Sequence, residues 1–368
     1  MTLETQPHET GRRGPGLASS ERPWLMNSWY VAASSAEIGA QPLGRRICGE
    51  PMVFFRAQNG QVAALEDFCP HRGAPLSLGF VRADQLVCGY HGLALDCAGH
   101  AASMPGQYLS RFPVVKTYPM IERHGFVWVW PGDAAQASAQ AIPDLFWADN
   151  PEWAYGGGLY HIACDYRLMV DNLMDLTHET YVHASSIGQR EIDDAPVETV
   201  LEGGQVVTRR LMQGVKAPPF WRMNLRLAGL PDDGYVDRWQ ICRFSLPSHV
   251  MIEVGVALQG KGGHSAPKST KASSVVVDFI TPETETTHWY FWGMARNFAA
   301  DDAQVTANIR EGQGRIFSED LAMLERQQQN LLRHPERHLM TLNIDAGGQH
   351  SRLMIQRALA AERHDLAS

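Results

Sequence analysis

Two short stretches each pair a thiol with an imidazole: Cys69-Pro70-His71 and, after sixteen intervening residues, Cys88-Gly89-Tyr90-His91. Both lie at the ends of β-type runs beside glycine and proline, so two loops can converge on one site. A Cys2His2 set admits tetrahedral zinc. It equally admits a Rieske [2Fe–2S] centre, in which two thiolates hold one iron and two imidazoles the other. The spacing favours the cluster. Zinc modules tend to pair like ligands, as CxxC and HxxxH, whereas here each loop offers one ligand to each iron. Four core residues meeting by chance is the bland alternative. Imidazole ligation raises the potential relative to all-thiolate clusters. Neither loop holds a second cysteine for a stabilising disulfide, so electron delivery at low potential is the expected role.

A second set, Asn172, Asp175, His178 and His183, lies in DNLMDLTHETYVH. Apolar residues at Tyr166, Met169, Val170, Leu173 and Leu176 predict a helix over 165–183. Asp175 and His178 are three apart and meet on neighbouring turns. His178 and His183 are five apart, about 140° around a regular helix. A shared metal therefore requires local i→i+5 widening or a helix end near His183, for which ASSIG at 184–188 is the candidate. Two imidazoles suit iron(II) when a carboxylate completes a facial triad with positions open to dioxygen. The predicted amphipathic helix IFSEDLAMLERQQQNLL (316–332) offers Glu319, Asp320 and Glu325. Its plain reading is structural: Ser318 caps, and acids in a first turn favour the helix dipole. The residues alone leave Glu319 and Asp320 level. Asn172, one turn before Asp175, either hydrogen-bonds near such an iron or is a helix-surface amide. Surface or core histidines are the corresponding plain reading of His178 and His183.

The elements that would carry these sets are of two kinds. NSWYVAA, PMVFFRA, QVAALED, LVCGY and GFVWVWPG, between 27 and 132, are short β-rich runs broken by Gly, Pro and Asn, and they predict a small all-β sandwich. DAAQASAQA (133–141) reads as a linker. The second half predicts antiparallel strands near 199–212, 236–258 and 275–298, with further helices at 316–332 and 351–362, an α+β arrangement. A length of 368 residues suits two such domains, expected at 25–135 and 136–362, between a polar disordered tail (1–24) and a short C-terminal tail (363–368). The tail lacks the apolar core of a signal peptide, and no apolar run is long enough to span a membrane. Six cysteines without an export signal imply a reducing, cytoplasmic setting, with metal binding or burial rather than disulfides. A net charge of −8 argues against nucleic-acid binding. The chain has neither a dinucleotide fingerprint nor a plant-type CxxxxCxxC run, so electrons must arrive from a separate protein.

CPHRGAPLSLG followed by CGYHGL resembles the Rieske motif of the Rieske non-haem iron aromatic-ring oxygenases, and DNLMDLTHETYVHASSIG resembles their mononuclear iron motif. RIFSEDLAMLERQQ is similar to the helix that carries the third ligand in the O-demethylase branch, and this resemblance selects Asp320. WADNPEWAYGGGLYHIACDYRLM, APPFWR, VDRWQICRF and VDFITPETETTHWYFWGMARNF extend the likeness. The resemblance implies an N-terminal Rieske β-domain and a C-terminal helix-grip domain with an antiparallel sheet. It implies a [2Fe–2S] cluster on Cys69, His71, Cys88 and His91, and iron(II) on His178, His183 and Asp320. It also implies a head-to-tail homotrimer in which Asp175 bridges the cluster of one chain to the iron of the next. The partner would be a flavin and [2Fe–2S] reductase using NADH, and the reaction O2-dependent O-demethylation of a methoxylated benzoate, vanillate first, with release of formaldehyde. Demethylation or hydroxylation of a different aromatic acid is the enzymatic alternative; an electron carrier or zinc-binding module is the non-enzymatic one. A carboxylated substrate needs cationic or donor groups in an apolar pocket. Arg243 and His249 are the candidates for the carboxylate and Asp278 for the ring hydroxyl, against the plain reading of surface ion pairs or structural contacts.

Overall fold

The computed structural model describes residues 22–184, 187–188, 192 and 195–367. Most of the expected N-terminal tail, and Ser185 and Ser186 of the expected helix end, lie outside these residues. The described chain forms two compact units, 22–144 with 281–284, and 145–280 with 285–364. Trp24 and Leu25 are already buried, so the N-terminal unit starts inside the stretch expected to be tail.

The N-terminal unit holds ten short strands: β1 (Tyr30–Ser34), β2 (Leu43–Ile47), β3 (Glu50–Arg56), β4 (Val62–Glu66), β5 (Phe80–Arg82), β6 (Gln85–Val87), β7 (Ala94–Leu95), β8 (Ala101–Ser103), β9 (Met120–Arg123) and β10 (Phe126–Val129). They form three antiparallel sheets, ordered β1-β10-β9, β2-β3-β4 and β5-β6-β7-β8. Alternate side chains of β3 and β4 (Val53, Phe55, Ala63, Leu65) meet Leu86, Leu93 and Leu95 in one core, and that core also receives Cys69 and Cys88. The expected linker contains two single 3-10 turns, Ala134–Gln136 and Ala139–Ala141.

The second unit is one seven-stranded antiparallel sheet with helices. In chain order it contains β11 (Ala154–Ile162), α1 (Tyr166–Leu173), α2 (Glu179–Val182), β12 (Val197–Glu202), β13 (Gln205–Lys216), α3 (Pro219–Leu227), β14 (Tyr235–Ser245), β15 (His249–Leu258), β16 (Lys271–Thr284), β17 (Thr287–Arg296), α4 (Ala303–Arg333) and α5 (Ala346–Ala367). The strand order is β11-β17-β16-β15-β14-β13-β12, consecutive hairpins with β11 returning to the far edge. The fold is α+β, and each of the three expected strand regions is a hairpin of two strands.

Three sequence expectations are corrected here. The helix expected at 316–332 begins thirteen residues earlier, because Asp302 caps it by accepting from the backbone N–H of Gln304 and Val305 at 2.9 and 3.0 Å. Ser318 is therefore mid-helix, its hydroxyl donating to the carbonyl of Arg315, and is not a cap. The last helix runs on to Ala367, so 363–367 is not a tail. The single helix expected over 165–183 is two helices with a break, and that break builds the site.

Candidate metal centres and substrate face

In the N-terminal unit the two Cys/His loops are built alike. The N–H of Cys69 donates to the carbonyl of Ala74 and the carbonyl of Cys69 accepts from Gly73, at 2.9 and 2.8 Å. The N–H of Cys88 donates to Leu93 and its carbonyl accepts from Gly92, at 2.8 and 3.1 Å. Each loop thus closes on a glycine four residues after its cysteine, at φ +69° in Gly73 and +75° in Gly92, a conformation glycine adopts without steric cost. The outcome is a polarised set. Both cysteines are 2% exposed, while His71 and His91 are exposed with ring centroids 4.6 Å apart. Burial raises the Cys69 thiol above its usual pKa, and the neighbouring Cys88 adds to this despite N–H donors from His71 and Arg72. Two buried thiols below two surface imidazoles suit a binuclear cluster with one sulfur-ligated and one histidine-ligated iron.

In the second unit, α1 opens at Asp165, whose carboxylate accepts from the N–H of Arg167, and it stops at Met174. Asp175 ends it by turning inward on the local backbone: Oδ1 accepts from the N–H and the hydroxyl of Thr177, at 2.6 and 2.7 Å. The carbonyl of Leu176, freed by the break, accepts from Arg210 Nη2 at 2.7 Å. A single new turn, α2, then separates His178 from His183, with Val182 N–H bonded to the carbonyl of His178 and His183 N–H to that of Glu179. The five-residue spacing is reconciled by placing one histidine before this turn and one after it, and the rings stand 5.2 Å apart.

Asp320 reaches both rings from α4. Its Oδ1 is 3.6 Å from His178 Nε2 and its Oδ2 is 3.3 Å from His183 Nε2. The three ligand atoms lie within 4.8 Å of one another. Two imidazole nitrogens and one carboxylate gathered in this way are the donor set that suits a non-haem iron(II). Asn172 Nδ2 donates to Asp320 Oδ1 at 3.1 Å, which makes it a support of that carboxylate rather than a free surface amide. The outer nitrogens also meet carboxylates: His178 Nδ1 lies 3.8 Å from Asp175, and His183 Nδ1 lies 2.7 Å from Glu319. Burial alone would lower the His183 pKa, but Asp320 and Glu319 outweigh it and raise it. Burial likewise pushes Asp175 up, and the nearby His178 together with the bonds from Thr177 brings it below the usual carboxylate range. Glu325 is accounted for elsewhere, accepting from the N–H of Ala163 at 3.0 Å.

Strand parity sorts the substrate candidates. On β14, Arg238 and Gln240 reach Glu179 of α2, so the even-numbered face looks toward the helices. Trp239 and Ile241 join Val207, Ala257 and Ala266 on the opposite face. Arg243 shares that opposite face and ion-pairs with Glu253 at 2.7 Å, and Glu253 also meets His264. His249 stands opposite Ser245 and against the Phe279 ring, again on the odd face. Neither residue is brought to the face that looks toward the helices. Asp278 is, since its register partner Val250 sits opposite Phe244 on the even face. It is fully buried; Oδ1 accepts from the Tyr290 hydroxyl at 2.6 Å, and Oδ2 has no partner among the described residues. Burial, and less strongly the charge of Asp320, raises its pKa to about 8 against the Tyr290 bond that lowers it. The ring of Tyr290 meets Phe317 at 5.4 Å, one turn before Asp320 on α4. Sequence reasoning missed Glu179, Arg210 and Arg238, the buried charges that hold the histidine-bearing turn.

Comparison with known proteins places these features in a family. Residues 28–119 match the Rieske [2Fe-2S] domain, and residues 162–361 match the vanillate O-demethylase oxygenase C-terminal domain. The chain is 66% identical over 337 residues to the vanillate O-demethylase oxygenase subunit of Pseudomonas sp. (strain HR199), covering 92% of this chain and 95% of that one. It is 36% identical to the oxygenase component of dicamba O-demethylase from Stenotrophomonas maltophilia, covering 82% and 87%. The crystal structure of dicamba monooxygenase bound to 3,6-dichlorosalicylic acid superposes with a TM-score of 0.85 at 32% identity, covering 92% of this chain and 98% of that one.

Proposed function

This chain belongs to the Rieske non-haem iron oxygenases of the vanillate O-demethylase type, and on that premise we propose that it removes the methyl group of vanillate, giving protocatechuate and formaldehyde. It is the oxygenase component of a two-component monooxygenase, with a Rieske cluster, a mononuclear iron and a separate reductase. The reaction balances as ArOCH3 + O2 + 2 e− + 2 H+ → ArOH + HCHO + H2O. The observation that carries the reading is the convergence of His178, His183 and Asp320 on the helix side of the sheet that also presents Asp278.

Cys69, His71, Cys88 and His91 would hold the cluster, and His178, His183 and Asp320 the iron(II). Bound there, iron(II) would supply the dioxygen-dependent oxidation that hydroxylates the methoxy carbon. The chain's own residues prepare that event. Asn172 fixes the rotamer of Asp320 by its hydrogen bond. Val250, Ile252 and Phe244 give the even face an apolar surface for the ring. We assign to Asp278, whose Oδ2 has no partner among the described residues, a hydrogen bond with the ring hydroxyl that would orient the adjacent methoxy group. The hemiacetal formed by hydroxylation loses formaldehyde and leaves the phenol.

Asp175 keeps a side chain 29% exposed, with Oδ2 3.8 Å from His178 Nδ1, so it is available to a neighbouring copy. We infer a ring of three chains in which Asp175 links the His71/His91 edge of one copy to the iron histidine of the next, as the family resemblance implies. The NADH-dependent partner is a flavin and [2Fe–2S] reductase.

The test is turnover with reductase, NADH and vanillate. Protocatechuate and formaldehyde in equal amounts are expected. Oxidation of other aromatic acids with no turnover of vanillate would transfer the reading to a different substrate.

A further inference from the structure

His183 is gripped at both ring nitrogens by consecutive residues of one helix. Asp320 Oδ2 stands 3.3 Å from Nε2, and Glu319 Oε2 stands 2.7 Å from Nδ1. Consecutive helical residues diverge by about 100°, yet Glu319 and Asp320 reach opposite ends of this one ring. Local backbone bonds hold the histidine in place. His183 closes α2, where its N–H bonds the carbonyl of Glu179, and its own carbonyl accepts from Gly188. The ring is 3% exposed and the Glu319 side chain 24% exposed, so the carboxylate shields the ring's outer edge from water.

We propose that Glu319 is a positioning residue: it accepts the Nδ1 proton of His183, which fixes the tautomer with Nε2 unprotonated and turned to the metal. An outer carboxylate of this kind orients a ligand histidine and increases its basicity. The two iron histidines would then be held unequally. His178 has its carboxylate, Asp175, at 3.8 Å, while His183 has Glu319 at 2.7 Å. The tighter hold falls on the histidine that follows the short turn. This also accounts for two adjacent acids on α4 without making both of them ligands. The inference rests on His183 and Asp320 being iron ligands, and the experiment separates the two claims.

The measurement is retention of iron(II) by full-length holoprotein against a competing chelator, read as the rate and extent of iron loss, with the visible spectrum of the cluster as a folding control. Glu319→Ala is expected to weaken iron retention about 10- to 100-fold and leave the cluster spectrum unchanged. Glu319→Gln keeps an accepting oxygen and is expected to stay within about threefold of the parent, since it loses only the charge assistance. Among fully iron-loaded molecules KM for the aromatic acid should not move. Parent-like iron retention in Glu319→Ala would overturn the proposal. So would equal losses in the Ala and Gln variants, which would mean that charge, not the hydrogen bond, matters. His183→Ala is the reference arm: iron held normally there refutes the ligand set itself, whereas iron lost there but held in Glu319→Ala refutes only the role of Glu319.

Discussion

Removing the Glu179 carboxylate should damage this protein far more than its place among surface-type sequence suggests. Glu179 is 3% exposed and sits on the single turn between His178 and His183. Its Oε1 accepts from Arg238 Nη2 at 2.7 Å and its Oε2 from Gln240 Nε2 at 2.5 Å, while Arg210 Nη1 lies 4.0 Å away. Arg238 and Arg210 are 3% and 2% exposed, so neither guanidinium has bulk water to fall back on. Breaking a buried pair by deleting one partner leaves a desolvated charge and costs about 3–5 kcal/mol. For a unit of this size each kcal/mol lowers Tm by about 2–4 °C, so Glu179→Ala should melt about 6–20 °C lower. The turn would also lose its anchor to the sheet, and iron content should fall with stability. The assay is tryptophan-monitored unfolding of the iron-loaded protein, followed alongside cluster absorbance to separate the two units. Glu179→Ala/Arg238→Met should recover part of the loss, because an apolar side chain in place of Arg238 leaves no buried guanidinium facing the lost carboxylate. A Tm change below about 2 °C with full iron content would refute the claim that this carboxylate holds the turn.

Other outcomes follow from the same geometry. Asp320→Ala should abolish iron retention and turnover while the cluster's visible spectrum survives, and simultaneous loss of both centres would contradict their separate sites. Asn172→Ala deletes one hydrogen bond to Asp320, worth about 1 kcal/mol, and should weaken iron affinity several-fold without touching the cluster. Asp278→Asn should raise KM for vanillate more than KM for 3-methoxybenzoate, which lacks the ring hydroxyl; equal effects would remove Asp278 from hydroxyl recognition. Asp278 also carries a pH signature. With a folded pKa of about 8 against the ordinary 3.8, the native state keeps a proton that the unfolded chain releases. Stability therefore falls as pH rises from about 4 to about 8. The Asn variant should flatten that decline and be the more stable protein at pH 8, as read from denaturant midpoints across that range.

What the sequence revealed and concealed follows from the range of the interactions involved. The Cys/His loops were legible because each is a self-contained turn whose glycine and cysteine bond within five residues. His178 and His183 were legible as a pair, but the continuous helix drawn through them was not there. Apolar periodicity runs straight through 174–178, and only Asp175 bonding to Thr177, with Arg210 arriving from a distant strand at the Leu176 carbonyl, interrupts it. The first half of α4 was hidden by Gly312 and Gly314, poor helix formers. Gly314 lies close against the Trp292 ring, which a Cβ there would meet at 3.1 Å. β11 was concealed likewise by three consecutive glycines, of which Gly158 lies against that same ring.

Arg243 and His249 lie on the face opposite to the expected one for a more general reason. In a half-buried strand, polar side chains ordinarily mark the solvent face, and a one-residue error in parity moves every side chain to the other side. On β14 the pattern is inverted. Arg238 and Gln240 point inward because Glu179 awaits them, while Trp239 and Ile241 point outward beneath the loop that brings Ala266. Arg243 was chosen as a substrate cation on charge and location, yet its parity is that of Trp239, and it finds Glu253 instead. Charge on a strand therefore indicates the interior wherever a helix facing it carries a buried counter-charge. Here that counter-charge lies one residue beyond the first iron-facing histidine, so the inversion of polarity on β14 is itself a mark of the site.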